Sequence, residues 1–171
     1  MKEGEFFFPL FNFINKGKAQ ALIHKLKYKN EPEIGELLGN WLAERIKASD
    51  SLPPFDLIIP IPLHKSKERK RGYNQSAKIA KGISEKLKIP TRMNILYRIS
   101  VTETQTAKSK VSRIENVRGI FSIKEKSAVI KGKRILLVDD VVTTGSTVLS
   151  AYDYLKTNKA ESVSIACIAR A

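Results

Sequence analysis

RILLVDDVVTTGSTVLSAY, residues 134–152, is the stretch on which the reading of this chain turns. An apolar run, residues 135–138, stops at two adjacent acids, Asp139 and Asp140. A hydroxyl-rich turn with one glycine follows, and an apolar pattern resumes at Val148. The run has the make-up of an inner strand, and open α/β sheets place ligands at the carboxyl ends of their strands. Val148, Leu149, Tyr152 and Leu155 mark a helix that starts near Ser146. The first turn of such a helix carries unpaired N–H groups and the positive end of a dipole, both of which favour an anion. Gly145 permits close backbone approach or a positive φ. The hydroxyls of Thr143, Thr144, Ser146 and Thr147 add donors for oxyanions.

The acids must do something else, because a carboxylate facing a phosphate repels it. Set a few ångströms along the strand end, Asp139 and Asp140 can accept hydrogen bonds from ligand hydroxyls or hold a divalent cation. A ribose 5-phosphate, with a phosphate at one end and a diol nearby, satisfies both halves. Two other readings compete. An acid pair after an apolar strand also occurs in response-regulator receivers, but no second aspartate follows on a later strand end, and receivers lack the TTGST loop. A capped strand–turn–helix with surface acids leaves the run of hydroxyls unexplained. No Gly-Lys-Ser/Thr follows at the Walker A spacing.

Outward from this motif, strands alternate with helices. Ala19, Leu22, Ile23 and Leu26 give one helix, with Lys18, Lys25, Lys27 and Lys29 on its other face. Ile34, Leu37, Leu38, Trp41, Leu42 and Ile46 give a second, over about 33–47. Residues 57–59 read as a short buried strand that Pro60 and Pro62 terminate or push to an edge. A basic stretch, residues 64–71, leads into a third helix with Ala77, Ala80, Ile83 and Leu87. Ile95, Tyr97 and Ile99 alternate as a strand does, and Phe121 and Ile123 suggest another. Val163, Ile165 and Cys167 lie in a last strand that is apolar on both faces. Strands buried on both sides indicate an α/β fold with a mostly parallel sheet flanked by helices. The polar stretch 100–118 is long for a loop, and such loops are usually functional.

The chain has 171 residues, the size of one domain, and needs no staple to bury a core. Its one cysteine, Cys167, excludes an internal disulfide and a cysteine zinc cluster, which fits a reducing, cytoplasmic setting. No apolar run reaches the length of a membrane span. The aromatic start is not a secretory leader, because Glu3 and Glu5 stand where basic residues belong; residues 6–14 read as a segment that docks on the fold or lines a pocket. A formal charge of +14, from 31 basic and 17 acidic residues, favours anionic partners.

ILLVDDVVTTGST resembles the phosphoribosyl pyrophosphate (PRPP) motif of type I phosphoribosyltransferases. IPIPLHKSKERKRGYNQSAKIAKGI, residues 59–83, resembles the ComF-like branch of that family, known from bacterial competence for DNA uptake, as do stretches in 22–39 and 102–121. The resemblance implies a type I phosphoribosyltransferase-like core over 51–171 and a small N-terminal helical hood over 1–50, in one compact domain. It implies that Asp139 and Asp140 contact the ribose hydroxyls and are candidate Mg²⁺ ligands, directly or through water. It places residues 143–147 (Thr143, Thr144, Gly145, Ser146 and Thr147) around the 5-phosphate. Ile61, Leu63, His64, Lys65, Arg71 and Asn74 become candidates for the pyrophosphate, and His64 reads equally as a surface histidine. Lys108, Lys110, Arg113, Asn116 and Arg118 become candidates on a flexible loop that closes over the ligand. Two departures stand out: the four-cysteine zinc segment of many ComF-like proteins is missing, and Pro60 and Pro62 offer no N–H where a pyrophosphate loop uses backbone donors.

These implications lead to a PRPP-binding protein that transfers a phosphoribosyl group to a nucleobase or amine and releases pyrophosphate. Two alternatives of other classes remain: an accessory protein for single-stranded DNA uptake in the competence machinery, without turnover, and a PRPP-sensing regulator.

Overall fold

A computed structural model describes residues 4–12, 18–49, 54–98, 121–123 and 127–170. Four parallel strands form the main sheet in the order β1 (Phe7–Asn12), β6 (Ser162–Arg170), β5 (Arg134–Val142) and β2 (Leu57–Pro60). A parallel bridge from Ile58 to Thr91 extends the β2 edge. Alternate residues of the inner strands point to opposite faces, as the period of 2 demands. Ile58, Leu136, Val138, Ala166 and Ile168 enter one core, with α1 (Lys18–Tyr28), α2 (Pro32–Lys47) and α4 (Gln75–Leu87). Leu57, Ile59, Ile135, Leu137, Val163 and Ile165 enter the other, with α5 (Ser146–Thr157) and a two-stranded antiparallel ribbon of β3 (Leu96–Arg98) and β4 (Phe121–Ile123). The result is the three-layer α/β architecture expected of strands that are apolar on both sides.

Pro60 fits the strand because of its side. The Ile58 N–H points outward, to Pro90 O, and the Ile61 N–H points inward, to Val138 O. Alternation therefore turns the Pro60 nitrogen outward, and no hydrogen bond to β5 is lost.

Several details differ from the sequence reading. Residues 7–12 form the edge strand β1, so the N-terminal segment read as a helical hood supplies a strand of the main sheet as well as two helices. The basic stretch is itself a short helix, α3 (Lys65–Arg71), separated from α4 by Gly72 in the left-handed region. On α2, Leu37 and Trp41 face solvent, and the packed face runs through Gly35, Leu38, Gly39, Leu42 and Ile46. Gly39 and Gly82 let α2 and α4 approach closely: a Cβ on Gly39 would lie 2.2 Å from Ile79 O. Among the described residues no helix is long and apolar enough to cross a membrane.

Candidate functional site

The site begins where two neighbours of β5 differ in length. β2 ends at Pro60, opposite Val138, whereas β6 continues to Arg170, opposite Val142. β5 also runs past the acids, which the sequence placed at its end. From Asp139 onward one edge of β5 is therefore uncovered by β2. A cavity of about 220 Å³ opens there, lined by Asp139 and Asp140, by Gln75 and Ser76 from the first turn of α4, by Lys27 of α1 and by Arg98 of β3.

The two acids differ. Asp139 Oδ1 accepts from the Ser76 hydroxyl at 3.0 Å and from the Asp140 backbone N–H at 2.9 Å. Burial, with the adjacent Asp140 charge, pushes the Asp139 carboxyl up to about 7; its two hydrogen bonds and the Lys27 charge pull the other way. Asp140 instead meets the Lys27 ammonium, at 2.9 Å, and accepts from the Val141 N–H at 2.7 Å.

Beyond the acids lies the turn. Gly145, the residue before α5, sits at φ 75°, which a side chain would strain, and has no side chain to cap the helix; Thr144 Oγ1 accepts from the Ser146 N–H at 3.5 Å. A recess of about 60 Å³ lies over this helix start, lined by residues 141–148 and Asp139. Thr144 and Ser146 share a hydrogen bond at 3.1 Å, and Thr147 accepts from the Arg98 guanidinium at 3.4 Å. Asp139, Val141 and Thr147 line both the recess and the acid cavity, so the halves form one cleft.

The residues read from the 60–74 segment divide. Ile61 cannot offer its N–H, which Val138 O takes at 2.8 Å. His64 caps α3, its Nδ1 accepting from the Ser66 N–H at 3.3 Å. Asn74 caps α4 through the Ser76 N–H and donates to Ile61 O, so it positions Ser76 and the loop. Lys65 is exposed and lines an adjoining, mostly apolar cavity with Met93 and Tyr97, which shares Pro62, Leu63 and Arg98 with the acid cavity. Leu63 and Arg71 do line the acid cavity. Arg71 donates to Gln75 Oε1 at 3.0 Å, and its guanidinium lies 5.4 Å from the centre of the Tyr28 ring. Lys108, Lys110, Arg113, Asn116 and Arg118 lie outside the described residues.

Four site residues escaped sequence reading: Lys27, Gln75, Ser76 and Arg98. Lys27 is one of three lysines on α1, and nothing local sets it apart. Gln75 ends the RGYNQ run, a signal that was available. It is 1% exposed, and its Nε2, like the Arg98 Nε, has no partner among the described residues. Buried donors of this kind call for an acceptor.

The donor set also bears on a metal. Among the described residues no group of three or more His, Cys, Asp or Glu could hold one. Two carboxylates suit a Mg²⁺ that arrives with a phosphorylated ligand and keeps its other oxygen ligands from that ligand and from water.

Residues 74–171 match the phosphoribosyl transferase domain family. The chain is 34% identical over 153 residues to competence protein F of Haemophilus influenzae, covering 88% of this chain and 67% of that protein. It is 31% identical over 152 residues to the DNA utilization protein YhgH of Salmonella typhi, covering 87% of this chain and 66% of that protein. The chain thus spans about two thirds of the length of these relatives. The glutamine phosphoribosylpyrophosphate amidotransferase of B. subtilis, solved with ADP and GMP, shares the fold at a TM-score of 0.56 and 20% identity, over 84% of this chain and 30% of that one. More than half of the sequence lies in the matched domain, which contains the acid pair and the 143–147 turn, while Lys27, Leu63 and Arg71 of the cleft precede it: the chain is a ComF-like member of the phosphoribosyl transferase family.

Proposed function

We propose that the cleft binds PRPP with Mg²⁺ and that the protein transfers the phosphoribosyl group to a nucleobase or amine, releasing pyrophosphate. One observation carries this reading: an acid pair and the start of α5 share a single cleft through Asp139 and Thr147. In it the 143–147 turn holds the 5-phosphate through N–H groups and hydroxyls. Asp139 and Asp140 accept from the ribose diol, which requires Asp140 to leave Lys27. Gln75 Nε2 and the Arg71 and Arg98 guanidinium groups supply donors toward the pyrophosphate. As the nucleophile's lone pair forms a bond to C1, the C1–O bond breaks and its electrons leave with pyrophosphate. Positive charge develops on the ring, as in glycoside chemistry, and the nearby carboxylates favour it. When bound, Mg²⁺ neutralises negative charge developing on the leaving group.

The test is thermal unfolding with PRPP, with and without Mg²⁺. Ligand at 100 times its Kd stabilises by about 2.7 kcal/mol. The shift should vanish in Asp139→Asn/Asp140→Asn with the fold intact. An unmoved melting temperature in the parent protein overturns the reading.

A second reading, an accessory protein for DNA uptake, is supported by the names of the curated relatives and by a row of cations beside the cleft. It predicts oligonucleotide binding that falls steeply with salt on logarithmic axes. Binding absent at moderate salt counts against it.

A further inference from the structure

Both oxygens of Asp140 are engaged. Oδ1 accepts from the Val141 backbone N–H at 2.7 Å, and Oδ2 meets the Lys27 ammonium at 2.9 Å. The first donor is fixed in β5. The second is the tip of a flexible side chain, and only it can be withdrawn. Among the described residues no cluster of three or more His, Cys, Asp or Glu stands ready for a metal, so the acid pair is the whole anionic donor set. While Lys27 stays, a divalent ion meets one open carboxylate and a positive charge beside it, which is a poor site for a cation that seeks several oxygen ligands.

Three consecutive residues dock the end of α1 here. The Leu26 carbonyl accepts from the Tyr73 hydroxyl at 2.5 Å, Lys27 reaches Asp140, and the Arg71 guanidinium lies 5.4 Å from the centre of the Tyr28 ring. The contacts of Leu26 and Tyr28 hold the helix end when Lys27 lets go, so release needs a side-chain rotation and no movement of α1. The space for that rotation is a groove between α1 and α3 that Lys27 also lines, together with Lys67, Arg69, Lys70 and Arg71. A bare divalent ion would have to push the ammonium toward these like charges. A cation that arrives with an anionic ligand brings the counter-charge that makes the move favourable.

We infer that Lys27 is a built-in counter-ion that shuts the acid pair against free divalent cations and yields only to a cation carried by an anionic ligand. Lys27 lies outside residues 74–171, so the family match assigns it no part in the site. The inference rests on the reading of Asp140 as a Mg²⁺ contact and adds an order of loading to it: cation and anion enter together, and the ligand-free protein excludes the metal.

The test uses Mn²⁺, which takes the same oxygen ligands as Mg²⁺ and whose free-ion electron paramagnetic resonance signal reports binding without turnover. With no ligand added, Lys27→Met should bind Mn²⁺ about tenfold tighter than the parent, because a unit charge a few ångströms from the ion is gone. A residue that only braces the fold would leave the affinity unchanged or weaken it. Lys27→Arg keeps the charge and should bind as weakly as the parent. Lys27→Met/Asp140→Asn should lose the gain, which locates it at Asp140. Equal affinity of the parent and Lys27→Met, or no binding by either, overturns the inference, and so does a gain in Lys27→Arg that matches Lys27→Met. The melting shift with PRPP and Mg²⁺ described above is read beside it. A parent that shows this shift while Lys27→Met shows no gain overturns the role of Lys27 and leaves the PRPP cleft standing. A gain in Lys27→Met without that shift supports the counter-ion and overturns PRPP as the ligand that displaces it. Circular dichroism checks the fold, and Lys27→Gln serves if Lys27→Met misfolds.

Discussion

Ser76 and Asp139, 63 positions apart in sequence, are joined by a hydrogen bond of 3.0 Å from hydroxyl to carboxylate. Asn74 caps the helix that presents Ser76, so a turn of α4 steadies the acid end of β5. This bond favours the ionised acid against burial. Ser76→Ala should therefore weaken PRPP–Mg²⁺ binding at pH 7 by roughly tenfold, the worth of one hydrogen bond to a charged group. Calorimetry at pH 7 and at higher pH checks this: the loss should shrink once Asp139 is ionised in both proteins. Equal affinity at pH 7 would remove Ser76 from the site.

Asp139 also predicts a conflict between function and stability. The unfolded chain releases this proton near pH 4, and the folded chain near 7. Between these values the folded state binds more protons. Stability therefore falls as pH rises through that window, and the deficit persists above it. Asp139→Asn keeps an oxygen for Ser76 and removes the charge. Without ligand it should melt above the parent at pH 8 by at least about 2–4 °C, and level with it below pH 4. Equal melting at pH 8 would show that the charge costs nothing.

The parts of this architecture legible in sequence are those set by local composition. Ile135, Leu137, Val163 and Ile165 read as buried strand because the sheet is covered on both faces, and Gly145 read as a turn because of its own conformation. The parts that were not legible depend on what arrives from elsewhere. Leu37 and Trp41 carry the helical period but face solvent, because α4 meets α2 at Gly35 and Gly39. Asn74 is a candidate through the RGYNQ run that resembles the ComF-like branch, and His64 reads either as a pyrophosphate contact or as a surface histidine. Their capping role is visible only once the starts of α3 and α4 are known. Lys27 becomes a site residue through the tertiary approach of α1 to Asp140.

That approach predicts an energetic coupling. Lys27 and Asp140 are 22% and 15% exposed, partly withdrawn from water. Lys27→Met leaves the Asp140 charge beside Asp139 without its cation, at a cost of about 2 kcal/mol. Asp140→Asn should restore most of it. A double-mutant cycle by urea unfolding measures the pair directly. Additive effects of the two substitutions would mean that the contact contributes nothing to the folded state.

Gly39 gives a prediction opposite in sign to helix propensity. Alanine ordinarily stabilises a helix interior by about 1 kcal/mol over glycine. Here the new methyl would lie 2.2 Å from the Ile79 carbonyl oxygen, a backbone atom that cannot rotate away. Gly39→Ala should therefore destabilise by about 3 kcal/mol, whereas Leu37→Ala on the exposed face should change little. A neutral or stabilising Gly39→Ala in urea unfolding would show that α2 and α4 do not pack this closely.

Asp56 and Arg134 fasten the start of β2 to the start of β5, and with them the frame of the site. Asp56 accepts from Arg134 Nε at 3.0 Å, from Nη2 at 2.8 Å and from its backbone N–H at 2.9 Å. These hydrogen bonds, the guanidinium contacts first, hold the Asp56 carboxyl well below the usual carboxylate range. A depressed folded-state value stabilises the protein above the unfolded value, near 4, and that stability is lost progressively as pH falls below it. The pair is 27% and 33% exposed, so water screens part of its attraction. Asp56→Asn should therefore cost about 1–2 kcal/mol at pH 7. The gap between parent and variant should narrow steadily below about pH 4, where the carboxylate of the unfolded parent takes up a proton while the folded one stays ionised. Unfolding curves across that range are the measurement, and a gap that stays constant down to pH 2 would assign the stabilisation to packing and away from the ion pair.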